Sequence, residues 1–393
     1  MNIQHRRSPL DEPLLLKRAK DASATPSESS TIETRSLTLW PRVPEASHGN
    51  YYVLFGRRLV IGPNWWALLS TVILVAVSSW FLLFRIIPEH ATLSSMQTAG
   101  EVGVGSSPFT RDIHKVLAWS LTVSLSVLVV CTGTMNPGII QRGSKDEISA
   151  FKQDIRPLSL TGSASPCSIN ETTGIPYPRY LTIAHQVTVR QKWCSTCYIY
   201  RPLRSNHCKH CDCCVARMDH HCSFLGGCVG MANYRWFFSL IWVVTLFSIF
   251  SAKMCWELLR MRWHEAATTG SSWLSRSVSG QQSRGTLHPK LLPFMFANVD
   301  ELTFLALSTV SAVAFGVLSI YHFLIAGKNL TTNEHVKRYY RVNPFDSGIT
   351  RNFLHLFCRP GKMFYNETPE VTFSYRAPVG ALEGDCVSDL FDS

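Results

Sequence analysis

Between Cys194 and Cys228 the chain places eight cysteines and four histidines in 35 residues. The run reads Cys194-x2-Cys197, then His207-Cys208-x2-Cys211-x2-Cys214, then Asp219-His220-His221-Cys222, and ends at Cys228. Thiolate and imidazole bind zinc tetrahedrally, and an x2 spacer lets two sulfurs of one tight turn reach the same ion. A lone Cys-x2-Cys pair arises by chance; this density points to metal. The donors suffice for two four-ligand sites with side chains left over. So polar a segment would draw much of its folding energy from the metal. The same run also holds the parts of an activated thiol. A free cysteine is mostly protonated at neutral pH, with a pKa of about 8.5. His220, two residues before Cys222, is placed to take its proton, and Asp219 to orient the ring and stabilise the imidazolium, the logic of a Cys-His-Asp triad.

These residues must be positioned by something other than a soluble core. Hydrophobic residues make up 46% of the 393-residue chain and charged ones only 17%, and the apolar residues are clumped into blocks. That pattern predicts a membrane protein. Four blocks reach the roughly 20 apolar residues a crossing needs: 65–87, 116–134, 236–255 and 302–325. Trp65 and Trp66 open the first block and Trp236, Phe237 and Phe238 the third, as interfacial aromatics do. Residues 1–50, rich in Ser, Thr, Glu and Pro, read as a disordered tail in which Asp11–Leu16 fits an acidic dileucine pattern. The expected organisation is completed by a linker at 135–193, the Cys/His segment at 194–235, a loop at 256–301 and a C-terminal region at 326–393.

The net charge of +11 suits an anionic leaflet and the positive-inside rule. No basic helix or aromatic-plus-basic strand pattern supports nucleic acid. The segment 135–235 is dense in Lys and Arg, whereas 88–115 holds only Arg111 and Lys115. Both termini and the Cys/His segment are therefore expected in the cytosol and 256–301 on the lumenal side. No apolar signal sequence is visible in the first sixty residues, and a reducing compartment suits thiol ligands better than disulfides. The sequons at Asn170, Asn329 and Asn366 all fall on the expected cytosolic side and should carry no glycan. The organelle is left open among endoplasmic reticulum, Golgi and plasma membrane.

The segment from Cys194 through Asp219-His220-His221-Cys222 to Cys228-Val229-Gly230 and Asn233-Tyr234-Arg235-Trp236-Phe237 resembles the cysteine-rich domain of the DHHC family of protein S-acyltransferases. Asn136-Pro137-Gly138 resembles that family's Asp-Pro-Gly, and Thr331-Thr332-Asn333-Glu334 its T-T-x-E. Asn343-Pro344-Phe345 with Gly348 and Asn352 resembles its C-terminal motif. Phe55-Gly56-Arg57-Arg58 and Gly62-Pro63 are similar to plant and protist members. The resemblance covers about 55–362. It implies an α-helical polytopic protein of four transmembrane helices, with a cytosolic two-zinc domain between the second and third. Cys194, Cys197, His207 and Cys214 would hold one structural zinc, and Cys208, Cys211, His221 and Cys228 the other. His210 and Cys213 would be exposed residues without a role.

The implied reaction has two steps. Cys222 takes a long-chain acyl group, such as palmitoyl, from acyl-CoA, then passes it to cysteines of proteins at the bilayer. Arg217, Arg235 and Lys328 are loose candidates for the CoA phosphates, and an accessory subunit is possible. The chain departs from the family at Gly227, where Asn or Gln is usual, at Ser223 and Phe224, where Pro and Trp are common, and at Asn136 for Asp. The rival readings are a catalytically weak relative acting as a zinc scaffold, a membrane-anchored zinc module of RING type, whose spacing is absent, and a transporter, whose paired intramembrane acids are absent. His322, within the fourth block, is expected to pack in the bundle interior.

Overall fold

A computed structural model describes residues 49–56, 58–100, 108–143, 179–183, 187–268, 291–358 and 372–374, all within one unit, Trp40–Ser393. The N-terminal tail, Asn170, Asn366 and all of 144–178 and 269–290 lie outside the described residues.

Four helices among the described residues are long and apolar enough to cross a membrane: Trp65–Met96, Asp112–Thr134, Tyr234–Ala267 and Val299–Gly327. Helix α1, Trp65–Phe81, passes through one π-helical turn, Leu82–Ile86, into α2, Ile87–Gly100. Pro88 supplies the reason for the wider turn. It has no N–H to donate, and its ring would strike the carbonyl four residues back. Helix α3 spans Pro108–Thr134 and α4 Tyr234–Thr268. A short α5, Leu291–Ala297, leads into α6, Val299–Gly327. Helices α4 and α6 approach closely where Thr245 Oγ1 meets Ser319 Oγ at 3.1 Å, one turn from Gly316. Small residues at such a seam let backbones come together.

The two ends of the bundle differ. At one end Glu301 is buried and accepts from Arg85 Nη2 at 3.1 Å and pairs with Arg262 Nη1 at 3.2 Å, while Arg262 also pairs with Glu89. Ion pairs at the rim of a bundle satisfy charges that hydrocarbon would not. At the other end sit the small strands. Hairpin β1–β2 (Tyr52–Leu54, Leu59–Ile61) precedes α1. Strands β3 (Arg179–Ile183) and β4 (Val187–Gln191) pair with each other. Then come β5–β6 (Trp193–Cys194, Ile199–Tyr200), β7–β8 (Asn206–Cys208, Cys213–Val215) and β9–β10 (His220–Cys222, Gly227–Val229). After α6 lie α7, Thr332–Val336, and α8, Ile349–Cys358; β11, Thr372–Ser374, pairs with β3.

Candidate active site

Strand alternation sorts the Cys/His donors. Neighbours on a strand point to opposite faces, so His207 and Cys208 on β7 are sent to different sites. His207 faces Cys214 across the hairpin, and the Cys194–Cys197 turn closes over them. Cys208 joins Cys211, and the β9–β10 hairpin brings His221 opposite Cys228 to the same place. In each group all four ligand atoms lie within 4.8 Å of one another. His207 Nδ1 stands 3.5, 3.4 and 3.9 Å from the sulfurs of Cys194, Cys197 and Cys214. His221 Nδ1 stands 3.5, 3.4 and 3.8 Å from those of Cys208, Cys211 and Cys228. A tetrahedron with Zn–S near 2.3 Å and Zn–N near 2.0–2.1 Å has S···N edges of about 3.6 Å. Both donor sets therefore have the size and chemistry of a closed metal site. His207 Nε2 is 3.7 Å from Asp212 Oδ1, the carboxylate partner such a ligand commonly has.

Two leftover donors behave differently. Cys213, expected to be exposed, is fully buried: it faces Cys208 across β7–β8 and packs with Tyr51, Val215 and Cys228. A residue across from a ligand shares its face, so the hairpin register forces it inward. His210 is exposed, and its ring stacks on His221 at 4.8 Å.

The same alternation puts His220 and Cys222 on one face of β9 and His221 on the other. His220 Nδ1 lies 2.7 Å from Asp219 Oδ2, and the ring also hydrogen-bonds the Cys222 thiol. The Cys222 sulfur is further met by the backbone N–H groups of Leu225 and Phe224. Burial alone would raise this thiol, but His220 and those N–H groups outweigh it and hold it below the ordinary value. Burial alone would lower His220; Asp219 and Cys222 outweigh it and push it up to about 9. The pair thus favours thiolate and imidazolium.

Asp219 is buried, and burial would raise its carboxyl; His220 and the N–H of Thr332 hold it below the usual value instead. Thr332 donates its backbone N–H to Asp219 Oδ1 at 2.8 Å and its hydroxyl to Oδ2 at 2.7 Å. Thr332 opens α7, whose capping box pairs Thr331 with Glu334. Glu334 in turn receives Arg204 through two bonds, Nε to Oε1 at 2.7 Å and Nη2 to Oε2 at 2.8 Å. Burial would raise Glu334, but Arg204 keeps it ionised.

Arg217 was a sequence candidate for binding phosphate, yet it is 2% exposed. Its Nη2 donates to Asn329 Oδ1 at 3.1 Å and its guanidinium lies over the Tyr234 ring. Burial and then the like charge of Arg204 lower it to about 10. It therefore faces no ligand. Lys328 is exposed and Arg235 half-buried over Trp236. The structure instead gathers Arg201, Lys209 and Lys337 around a cleft of ≈ 390 Å³ that Asp219, His220 and Thr332 also line. Asn329, buried and holding Arg204, Arg217 and the Phe345 carbonyl, leaves no room for a glycan. His322 packs in the interior as expected, bonded to the Tyr234 hydroxyl at 3.1 Å. Its ring is 6.2 Å from that of His220, so it walls the site.

The departures from the family find neighbours. Asn136 Oδ1 accepts from the N–H groups of Gly138 and Ile139, both at 2.9 Å, an acceptor role that Asn and Asp share. Beside Gly227 stands Tyr51, whose hydroxyl accepts the Cys228 N–H at 2.9 Å. A Cβ on Gly227 would lie 3.4 Å from the Tyr51 ring and hydroxyl, so a longer side chain there must pack against Tyr51.

Residues 187–339 match the sequence profile of the DHHC palmitoyltransferase family. The chain is 26% identical to Probable protein S-acyltransferase 7 of Arabidopsis thaliana over 319 residues, 80% of this chain and 62% of that protein. It is 29% identical to Protein S-acyltransferase 8 of the same plant over 323 residues, 81% of this chain and 69% of that one. It is 29% identical to Palmitoyltransferase ZDHHC5-B of Danio rerio over 234 residues, 58% of this chain and 28% of the relative. The chain thus spans less than two thirds of the length of the first of these relatives. With four apolar helices flanking two Cys/His metal-binding clusters, this is an integral membrane protein with a cysteine-rich domain. Over residues 187–339 it is similar to the DHHC palmitoyltransferase family, and over about four fifths of its length to the plant protein S-acyltransferases.

Proposed function

We propose that the chain is a protein-cysteine S-acyltransferase that carries a long-chain acyl group, such as palmitoyl, from acyl-CoA to protein thiols through an S-acyl Cys222 intermediate. The observation that carries this reading is the Asp219–His220–Cys222 array, in which His220 bonds both Asp219 and the Cys222 thiol and Asp219 is docked on Thr332. Its depth supports a lipid substrate. Thr71 Oγ1 donates to the Phe224 carbonyl at 2.8 Å, and Thr71 is six residues, about 9 Å, into the first membrane helix. The loop after Cys222 therefore lies level with the entrance of the bundle, where an acyl chain can enter hydrocarbon while its thioester stays near water.

The Cys222 thiolate attacks the thioester carbonyl; the C–S bond to CoA breaks, and the departing CoA thiolate takes the proton from the His220 imidazolium. A substrate cysteine then gives its proton to His220 and attacks the acyl carbonyl, expelling the Cys222 thiolate. One thioester replaces another in each step, so no ATP is consumed. Asp219 holds the His220 tautomer throughout and stabilises the imidazolium. Zinc held by Cys194, Cys197, His207 and Cys214 and by Cys208, Cys211, His221 and Cys228 would supply structure, since four protein donors leave no open position for chemistry. Arg201, Lys209 and Lys337, beside His220, offer cations to the CoA phosphates. The Lys and Arg distribution supports a cytosolic site with both termini on that side, in an endomembrane or the plasma membrane. Substrates would be proteins whose cysteines lie close to that surface.

The test is labelling of the purified full-length protein with alkyne-palmitoyl-CoA. A hydroxylamine-sensitive label on the wild type, absent from a Cys222→Ser variant that still holds two zinc ions, is the expected result. A zinc-replete wild type that never takes label would leave only a zinc-binding module.

A further inference from the structure

Hairpin β1–β2 is apolar on both of its faces. Side chains alternate along a strand, and Val53 and Val60, paired across the hairpin, turn inward with Tyr51 onto Cys211, Cys213 and Cys228. The other face carries the cross-strand pairs Tyr52–Ile61 and Leu54–Leu59, with Phe55 at the tip. Tyr52 is 55%, Leu54 47% and Phe55 79% exposed. An antiparallel pair that packs one face on a protein usually turns polar residues outward, and a contiguous exposed apolar patch marks a contact surface.

What covers that face is indicated by where the hairpin is tethered. Only residues 62–64 separate Ile61 from Trp65, the first residue of the membrane helix, a reach of at most about 14 Å. The tether is tighter than that limit. Gly62 is pressed on Gly226 so closely that a Cβ would fall 1.9 Å from its carbonyl oxygen, and Asn64 N–H donates to the same oxygen at 3.3 Å. Through Phe224 the same loop is bonded to Thr71, two turns into the helix. The hairpin is thus held level with the first turns of the span, beside the exposed Trp65 and Trp66. Arg58, at the tip, is also exposed, and a cation there suits anionic headgroups.

We propose that β1–β2 is a lipid-binding wedge whose outer face, Tyr52, Leu54 and Phe55, sits among the headgroups and upper acyl chains of the leaflet that bears the Cys/His domain. The inner face then braces the Cys222 loop through Tyr51 and Gly62. The proposal does not depend on the chemistry of Cys222.

Photocrosslinking of the full-length protein tests it. Benzoylphenylalanine is introduced by nonsense suppression in place of Leu54 or, separately, Phe55, and the protein is irradiated in nanodiscs of mixed phosphatidylcholine and phosphatidylserine. Trp66, on the membrane helix, serves as the lipid-facing control, and retention of two zinc ions verifies folding of each variant. Phospholipid adducts on the hairpin peptide at both positions, in yield matching that at Trp66, are the expected result. Crosslinks to another peptide of this chain, or no phospholipid adduct at either position while Trp66 gives one, would overturn it.

Discussion

Asp219 is buried and ionised because three donors meet it, His220 on one side and the amide and hydroxyl of Thr332 on the other. Hydrogen bonds to charged groups contribute about 1.5–3 kcal/mol. Thr332→Val keeps the shape and the amide but removes the hydroxyl. Cys222 acylation should fall by roughly ten- to hundredfold, with zinc content unchanged; single-turnover labelling reads this. The Cys222–His220 pair carries a second prediction. Because the thiol is depressed and the imidazole raised, thiolate exists below the ordinary thiol pKa. Mass-spectrometric alkylation of Cys222 should be faster in the wild type than in His220→Ala near neutral pH. The two profiles should converge above about pH 9, where an unassisted thiol ionises. A third concerns Gly227. Gly227→Gln should overpack Tyr51 and cost on the order of 1–3 kcal/mol. Tyr51→Ala should relieve that cost, so the double variant is more stable in thermal melts than additivity predicts.

At the scale of elements, α7 works as a clamp between bundle and Cys/His domain. Five residues make a negligible helix alone; the capping box and the Arg204–Glu334 bridge hold it. Arg204 is buried, stacked on Phe345 at 4.4 Å and bonded to the Asn329 carbonyl at 2.6 Å. Removing one partner of a buried pair costs about 3–5 kcal/mol. Arg204→Ala should therefore lower the thermal midpoint and slow acylation together, because Thr332 loses its anchor. The linkage sign is that of a depressed carboxylate. Glu334 contributes fully above the ordinary carboxylate pKa, and its contribution is lost as pH falls below that value toward its lower folded one.

The whole molecule has two cohesive parts with different chemistry. Among the described residues the bundle is held by apolar packing and, at one end, by the Arg85–Glu301–Arg262 network. The Cys/His hairpins β5–β10 are short and are built around their donor sets. Apparent binding energies of structural zinc are about 10–16 kcal/mol. Chelation by phenanthroline should release two zinc ions and abolish acyl transfer while far-ultraviolet circular dichroism keeps most of its helical signal. Loss of helix in parallel with zinc would contradict this division.

Much of this protein is dictated locally. Twenty apolar residues must cross as a helix, and Cys-x2-Cys turns must present paired sulfurs, so four spans and a metal-binding segment are readable without coordinates. The Asp219-His220-x-Cys222 array is equally local, because residues two apart on a strand share a face. Long-range contact is not written in any window of sequence. Folding alone brings Thr332 to Asp219, Tyr51 to Cys228 and His322 to His220, across 113, 177 and 102 residues. It also buries Arg217, a candidate for phosphate, and Cys213, expected to be exposed, because the hydrogen bond to Asn329 and the β7–β8 register turn them inward. Spacing fixes which side chains can meet within a turn; which distant backbone closes over them depends on packing the whole bundle.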